Sequence, residues 1–256
     1  MLLRRITKHV KEQNWFAVGL DFIIVVVGIL IAFQITNWSE GRQDRVLERD
    51  TLIRLHQDIS ESVEGQQRDI RFLEQQLADQ DLILRSLEVC NVAPGDDPAF
   101  QRGLATLGWV NPPRLYRRTI DEVIASGRTD IIQSAEISDG LARIVALVEW
   151  RGSWFQSTVD TLEHSGRVVE QHMRYDLTRT LDNPFVPNHR GGIDYDINAL
   201  CENVTIGNAI SSISYRTSER LEAYRPILEA YSAFLPLVGT ELEQRWNFEP
   251  QAGAST

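Results

Sequence analysis

From Phe16 to Ile35 the chain reads FAVGLDFIIVVVGILIAFQI, and the stretch from Phe22 to Phe33 holds no polar side chain. Twenty residues at helical rise span about 30 Å, the thickness of a hydrocarbon core. Trp15 and Trp38 bracket the run, as interfacial aromatics do. A cleavable signal would carry an apolar region of about 7–15 residues ending in a small-x-small site. This run ends instead in Gln34-Ile35-Thr36-Asn37-Trp38. The pattern predicts a retained transmembrane helix over residues 15–38, behind a tail of residues 1–14, with the lipid bilayer as partner.

Beyond Trp38 the helical period continues. Leu52, Leu55, Ile59, Val63, Ile70, Leu73, Leu77, Leu84 and Leu87 recur mainly at three- and four-residue steps, and Gln66 and Gln80 fill two positions of the stripe. No Pro falls between residues 39 and 93, so this reads as one long amphipathic helix. Asp96-Asp97-Pro98 signals another helix start, and Thr119 with Glu122 forms a capping box closed by Gly127. A second stripe runs from Leu141 through Phe155, Leu162, Val169, Met173 and Leu177 to Leu181. A third runs from Ile210 to Leu242, with Pro226 and Pro236 placed to bend or interrupt it. Residues 183–207 read as loop, and no useful period-two alternation appears, so no sheet is expected.

These elements predict an all-α protein: a single N-terminal transmembrane helix continuing into an antiparallel helical bundle over residues 39–247. An up-down-up-down order accommodates the pieces, followed by a disordered tail of residues 248–256. Heptad-like spacing in the first long helix also permits an intermolecular coiled coil, although one chain already supplies several matching stripes.

Charge adds a direction. Residues 1–38 hold four basic and two acidic side chains, whereas the whole chain carries a net −10. Arg4, Arg5, Lys8 and Lys11 precede the apolar run, and Arg42, Arg45 and Arg49 follow it among acids. The excess places the tail in the cytoplasm and the bundle in the periplasm of a bacterial inner membrane. A pI near 5.0 argues against a nucleic-acid binder. Asp21 lies inside the apolar span, six residues after Trp15. It is either a polar group for a membrane partner or an interfacial acid paired with Lys11 or water. Gly28 and Ala32 form a small-xxx-small pair that would let two such helices approach, and a homo-oligomer through this helix is expected.

The run Val27–Arg42, VGILIAFQITNWSEGR, resembles the amino-terminal signature of an uncharacterised bacterial family of single-pass membrane proteins, a domain of unknown function. Its members read V-G-I-L-I-A-x-Q-I-x-N-W-x-E-x-R, with an acid seven residues before the glycine, where this chain has Asp21. The segment Thr119–Gly127, TIDEVIASG, with Asp130, Ile131 and Ile132, is similar to a second family segment, T-Y-x-E-L-x-x-S-G-x-L-x-x-I. Ile120 stands in place of its aromatic residue. The resemblance implies a membrane anchor and brings no catalytic residues.

Searches for chemistry return little. No hydrolase elbow, zinc-protease helix, dinucleotide loop or phosphate loop is present, and no Lys lies beyond residue 11. No His is preceded by Glu at three residues, which removes the usual di-iron site, and no metal or other cofactor is expected. Asp194, Asp196 and Asn198 have calcium-loop spacing, but Ala199 and Thr205 stand where Gly and Glu are required, so a polar loop is expected. His164 and His172 read as ordinary surface or half-buried residues, and the Arg/Glu-rich faces as solvated helix surface. Trp150, Trp154 and Phe155 fit either an aromatic pocket or, at helical spacing, core. Cys90 follows the first long helix and Cys201 precedes the last, so in the up-down-up-down order both would lie at the membrane-distal end. They are either bridged, as the periplasm permits, or two thiols that never meet. The expected function is a non-enzymatic membrane protein presenting a helical interaction domain to a protein partner; the alternative is a ligand-binding sensory bundle signalling through a separate partner.

Overall fold

The computed structural model of the protein describes residues 15–186 and 190–248. The chain divides into two compact units, Met1–Asp50 and Thr51–Thr256, and α1 (Trp15–Glu88) contributes to both. Within the first unit the helix presents its apolar side chains outward: Phe22, Ile29 and Phe33 are each more than 60% exposed. This helix is long and apolar enough to cross a membrane.

The second unit is helical with one small hairpin. After α1 come α2 (Asp97–Thr106), α3 (Arg118–Ala125), α4 (Ala135–Ser153) and α5 (Phe155–Glu170). Then follow β1 (Met173–Thr180), β2 (Arg190–Tyr195), α6 (Ile197–Cys201) and α7 (Val204–Trp246). Ile83, Phe100, Leu104, Leu162, Val169 and Ile210 meet in the main core, and Ile70, Leu73, Leu221 and Tyr224 form a second cluster. Within this unit the apolar stripe of α1 is buried against its own chain: Leu52, Leu55, Ile59 and Leu73 are at most 1% exposed. Gln80 meets Thr217 and Gln66 meets the carbonyl of Tyr224, so α1 and α7 run antiparallel. Asn203 caps α7 by accepting from Thr205 N–H, and Asn247 at φ 52° ends it.

Several expectations are corrected. The second stripe is not one helix. It breaks at Trp154, directly after Gly152-Ser153, where the Ser153 hydroxyl donates to the Trp150 carbonyl at 2.7 Å. Its C-terminal end is strand β1, paired antiparallel with β2. The helical reading failed because Met173, Leu177 and Leu181 at four-residue steps satisfy both a helix face and a strand face. The Gly191-Gly192 pair serves the hairpin: Gly191 has φ +133°, and a Cβ on Gly192 would lie 2.6 Å from Arg179 Nε. The prolines do not interrupt α7. The carbonyls they leave without an N–H donor belong to Glu222 and Ser232, both exposed, while Tyr224, Ile227, Phe234 and Val238 pack inward.

The capping box is also corrected. Thr119 lies inside α3, and its N–H donates to Asp58 Oδ2 of α1 at 2.8 Å. Glu122 turns outward to Arg54 at 2.7 Å. The cap is supplied by another helix. Gly127, at φ +67°, does follow the end of α3. The return leg is made of short helices, as expected, but a non-helical segment, residues 107–117, separates α2 from α3.

Candidate functional site

A non-helical segment inside a bundle has backbone groups with no helical partners, and burial makes each one costly. Here two helices supply the partners. From α1, Gln76 Nε2 donates to the carbonyls of Thr106 (2.6 Å) and Trp109 (3.2 Å), Ser62 Oγ accepts from Tyr116 N–H (2.9 Å), and Asp69 holds Asn111 and Arg114 (3.3 and 2.9 Å). From α7, Tyr224 donates to the Asn111 carbonyl and Tyr231 to the Arg114 carbonyl at 2.6 Å. Ser62, Asp69 and Gln76 lie at seven-residue steps, as do Tyr224 and Tyr231, so each set occupies one helix face at about 10.5 Å intervals. The acids of α1 are therefore not all solvated, contrary to expectation. Asp58, Asp69 and Asp79 are buried, and Asp79 takes both Nε and Nη2 of Arg102 at 2.8 Å. Burial pushes the Asp69 carboxyl above its ordinary value, against the pull of Arg114. Burial likewise holds the Tyr224 phenol up at about 12.

This clamped segment forms one wall of a cavity of about 780 Å³ through Pro113. The break between α4 and α5 forms the other, presenting Trp150, Arg151, Trp154 and Phe155, and α7 closes it with Arg216, Arg220 and Tyr224. The two indoles are 53% and 64% exposed, so they are cavity wall and not core. Arg151 stacks on Trp150, with its guanidinium carbon 4.5 Å from the ring centroid, while its own Nε is buried without a partner. Arg216 is paired with Glu219 at 2.6 Å. Arg220 is 5% exposed and reaches the Trp109 carbonyl at 3.4 Å, but its Nε has no acceptor. The acid whose field reaches it, Asp69, is bonded to Arg114 and Asn111. Burial depresses the Arg220 guanidinium below its ordinary value. A second cavity, about 400 Å³, is bounded mainly by apolar residues, among them Leu55, Ile120, Val123, Ile124, Leu141 and Val145, with Thr51, Ser138 and Glu149 also in its lining.

The other sequence-predicted residues fall as follows. Gly28, Ala32, Ile35 and Trp38 are exposed residues of α1. Trp15, Phe16 and Asp21 belong to α1 by backbone, and their side chains lie outside the described residues, as do the tails 1–14 and 249–256 and His189. Cys90 and Cys201 are joined in a disulfide with Cα atoms 5.5 Å apart. His164 is exposed, and exposed His172 lies 3.4 Å from Asn203 Nδ2. Asp194 is bound by Arg174 and Arg179, and Asp196 caps α6. Among the described residues no group of three potential metal ligands converges. Sequence reasoning had raised the Trp150-Trp154-Phe155 cluster but missed Arg151 and Arg220, which read as solvated face; the signal available was Gly152-Ser153, a break that turns one stripe into two walls. No family model, curated protein or solved structure matches the chain.

Proposed function

We propose that the protein is a non-enzymatic, single-pass inner-membrane protein whose helical domain serves as a binding and interaction module in the periplasm, with residues 1–14 in the cytoplasm. The observation that carries this reading is the Cys90–Cys201 disulfide within the bundle. Such bonds persist in oxidising compartments and are rare in the cytosol. The apolar helix supports the anchor, since its hydrophobic window has no burial within the protein and the bilayer would cover it. The resemblance of Val27–Arg42 to a single-pass family points the same way. Because the α1 stripe of the bundle is occupied internally, self-association is assigned to the Gly28 and Ala32 face, and Gly28→Leu with Ala32→Leu should weaken it in a membrane two-hybrid assay.

The test is topological. In whole cells expressing the full chain, a C-terminal alkaline phosphatase fusion should be active, and cysteines of membrane-extracted protein should label only after reduction. An inactive fusion with freely labelled thiols would overturn the reading. The sensory alternative is favoured by one observation, the arginine- and tryptophan-walled cavity between α4, α5 and α7.

A further inference from the structure

We propose that the cavity at the α4–α5 break is a binding site for a small planar aromatic carboxylate, with Arg220 and Arg151 holding the carboxylate and Trp150 and Trp154 covering the ring. The inference goes beyond the topological reading and does not depend on it.

Charge comes first. Arg220 is 5% exposed and buries a full positive charge, yet its Nε–H has no acceptor and the nearby Asp69 is engaged elsewhere. A buried guanidinium without a carboxylate is costly, because the charge has left water with no opposite charge to replace the solvation. An anion entering the cavity that Arg220 lines would supply the opposite charge. Arg151 adds a second guanidinium on the same cavity with a second unpartnered Nε. Two arginines against Glu219, which Arg216 already neutralises, and Glu222, which pairs with Arg225 at 3.3 Å, leave the lining locally positive in a chain of net charge −10. The planar guanidinium fork matches a carboxylate in two-point contact, which an ammonium cannot do.

Shape and stacking decide the rest of the ligand. Trp150 and Trp154 sit four residues apart across the helix break, both more than half exposed on the cavity wall. Exposed indoles beside a cation favour a flat π-system, which stacks on a ring while its charged edge meets a guanidinium. A volume of about 780 Å³ lies within the range of small-molecule sites. The clamp on residues 107–117 makes the site preformed: Trp109, Asn111 and Arg114 are fixed by α1 and α7, so Pro113 stays in the wall before any ligand arrives.

The test uses the full chain in detergent, titrated by calorimetry with 2-naphthoate, its neutral amide, cyclohexanecarboxylate and inorganic phosphate. Naphthoate should bind about tenfold or more tightly than the amide, which lacks the charge, and than cyclohexanecarboxylate, which lacks the ring. Arg220→Lys and Arg151→Gln should each weaken naphthoate about tenfold, and Trp154→Ala a few-fold, with phosphate a poor competitor. Arg151 is half-exposed, so its variant keeps the test valid if Arg220→Lys does not fold. Unchanged affinity in Arg151→Gln, equal binding of naphthoate and cyclohexanecarboxylate, phosphate binding as tightly as naphthoate, or no heat with any probe would each overturn the proposal.

Discussion

Replacing both cysteines by serine removes a cross-link that closes a loop spanning 111 residues of sequence separation, most of the second unit. On the chain-entropy account the lost constraint is −2.1 − 1.5R ln n; with n of 111 this is about 16 cal/mol/K, or ~4.8 kcal/mol at 25 °C. A domain of this size loses roughly 2–4 °C of Tm per kcal/mol, so the variant should melt roughly 10–20 °C lower. A local effect is separable from this. Cys90 ends α1 at φ 48°, with its N–H on the Leu87 carbonyl and Asn91 N–H on the Ser86 carbonyl, the hydrogen-bond pattern of a helix end that usually takes Gly. The left-handed conformation costs a non-Gly residue roughly 1–2 kcal/mol, and the greater freedom of Gly when unfolded returns about half of that. Cys90→Gly with Cys201→Ser should therefore be more stable than the double serine variant by about 0.5–1 kcal/mol. The assay is urea unfolding of the full chain in detergent, followed by circular dichroism, with wild type run oxidised and reduced. A double serine variant within about 1 kcal/mol of oxidised wild type would refute the reasoning, because the bond would then constrain nothing the bundle had not already fixed.

Other perturbations address other layers of the structure. Gln76→Ala strips the donor shared by the Thr106 and Trp109 carbonyls and should cost about 2–4 kcal/mol by the same urea assay. Gly140→Ala should destabilise by about 1–2 kcal/mol, since the new Cβ would lie 2.8 Å from Phe234 Cε2; Gly207→Ala, with nothing within 4 Å, should instead stabilise α7 by up to about 1 kcal/mol. Burial lowers the His56 pKa, so the neutral ring is favoured in the folded state. Its contribution is therefore present above the ordinary value of 6.5 and is lost as pH falls through the folded value; His56→Gln should flatten stability between pH 7 and 5, measured by thermal unfolding.

The membrane-length helix, the long amphipathic stripes and the start near Asp97 were legible because each is written locally, whereas the helix start after Asn203 fell inside a stretch that reads as loop. A run of apolar residues, a 3.6-residue period and a capping side chain act within one or two turns of where they stand. Trp150 and Trp154 were visible as a cluster for the same reason. What the sequence left open was every decision taken between distant residues. Met173, Tyr175 and Leu177 suit strand and helix alike until Ile193 and its neighbours arrive to pair with them. Asp58, Asp69 and Gln76 look like solvent-facing residues until the backbone of residues 106–119 lies over them and needs their donors and acceptors. Arg220 looks like one more charge on a helix; burial without a carboxylate is what sets it apart, and burial belongs to the packed structure. The two cysteines were named from sequence, but a disulfide requires Cα atoms within a few ångströms, and only the antiparallel return of α7 to the end of α1 brings them to 5.5 Å.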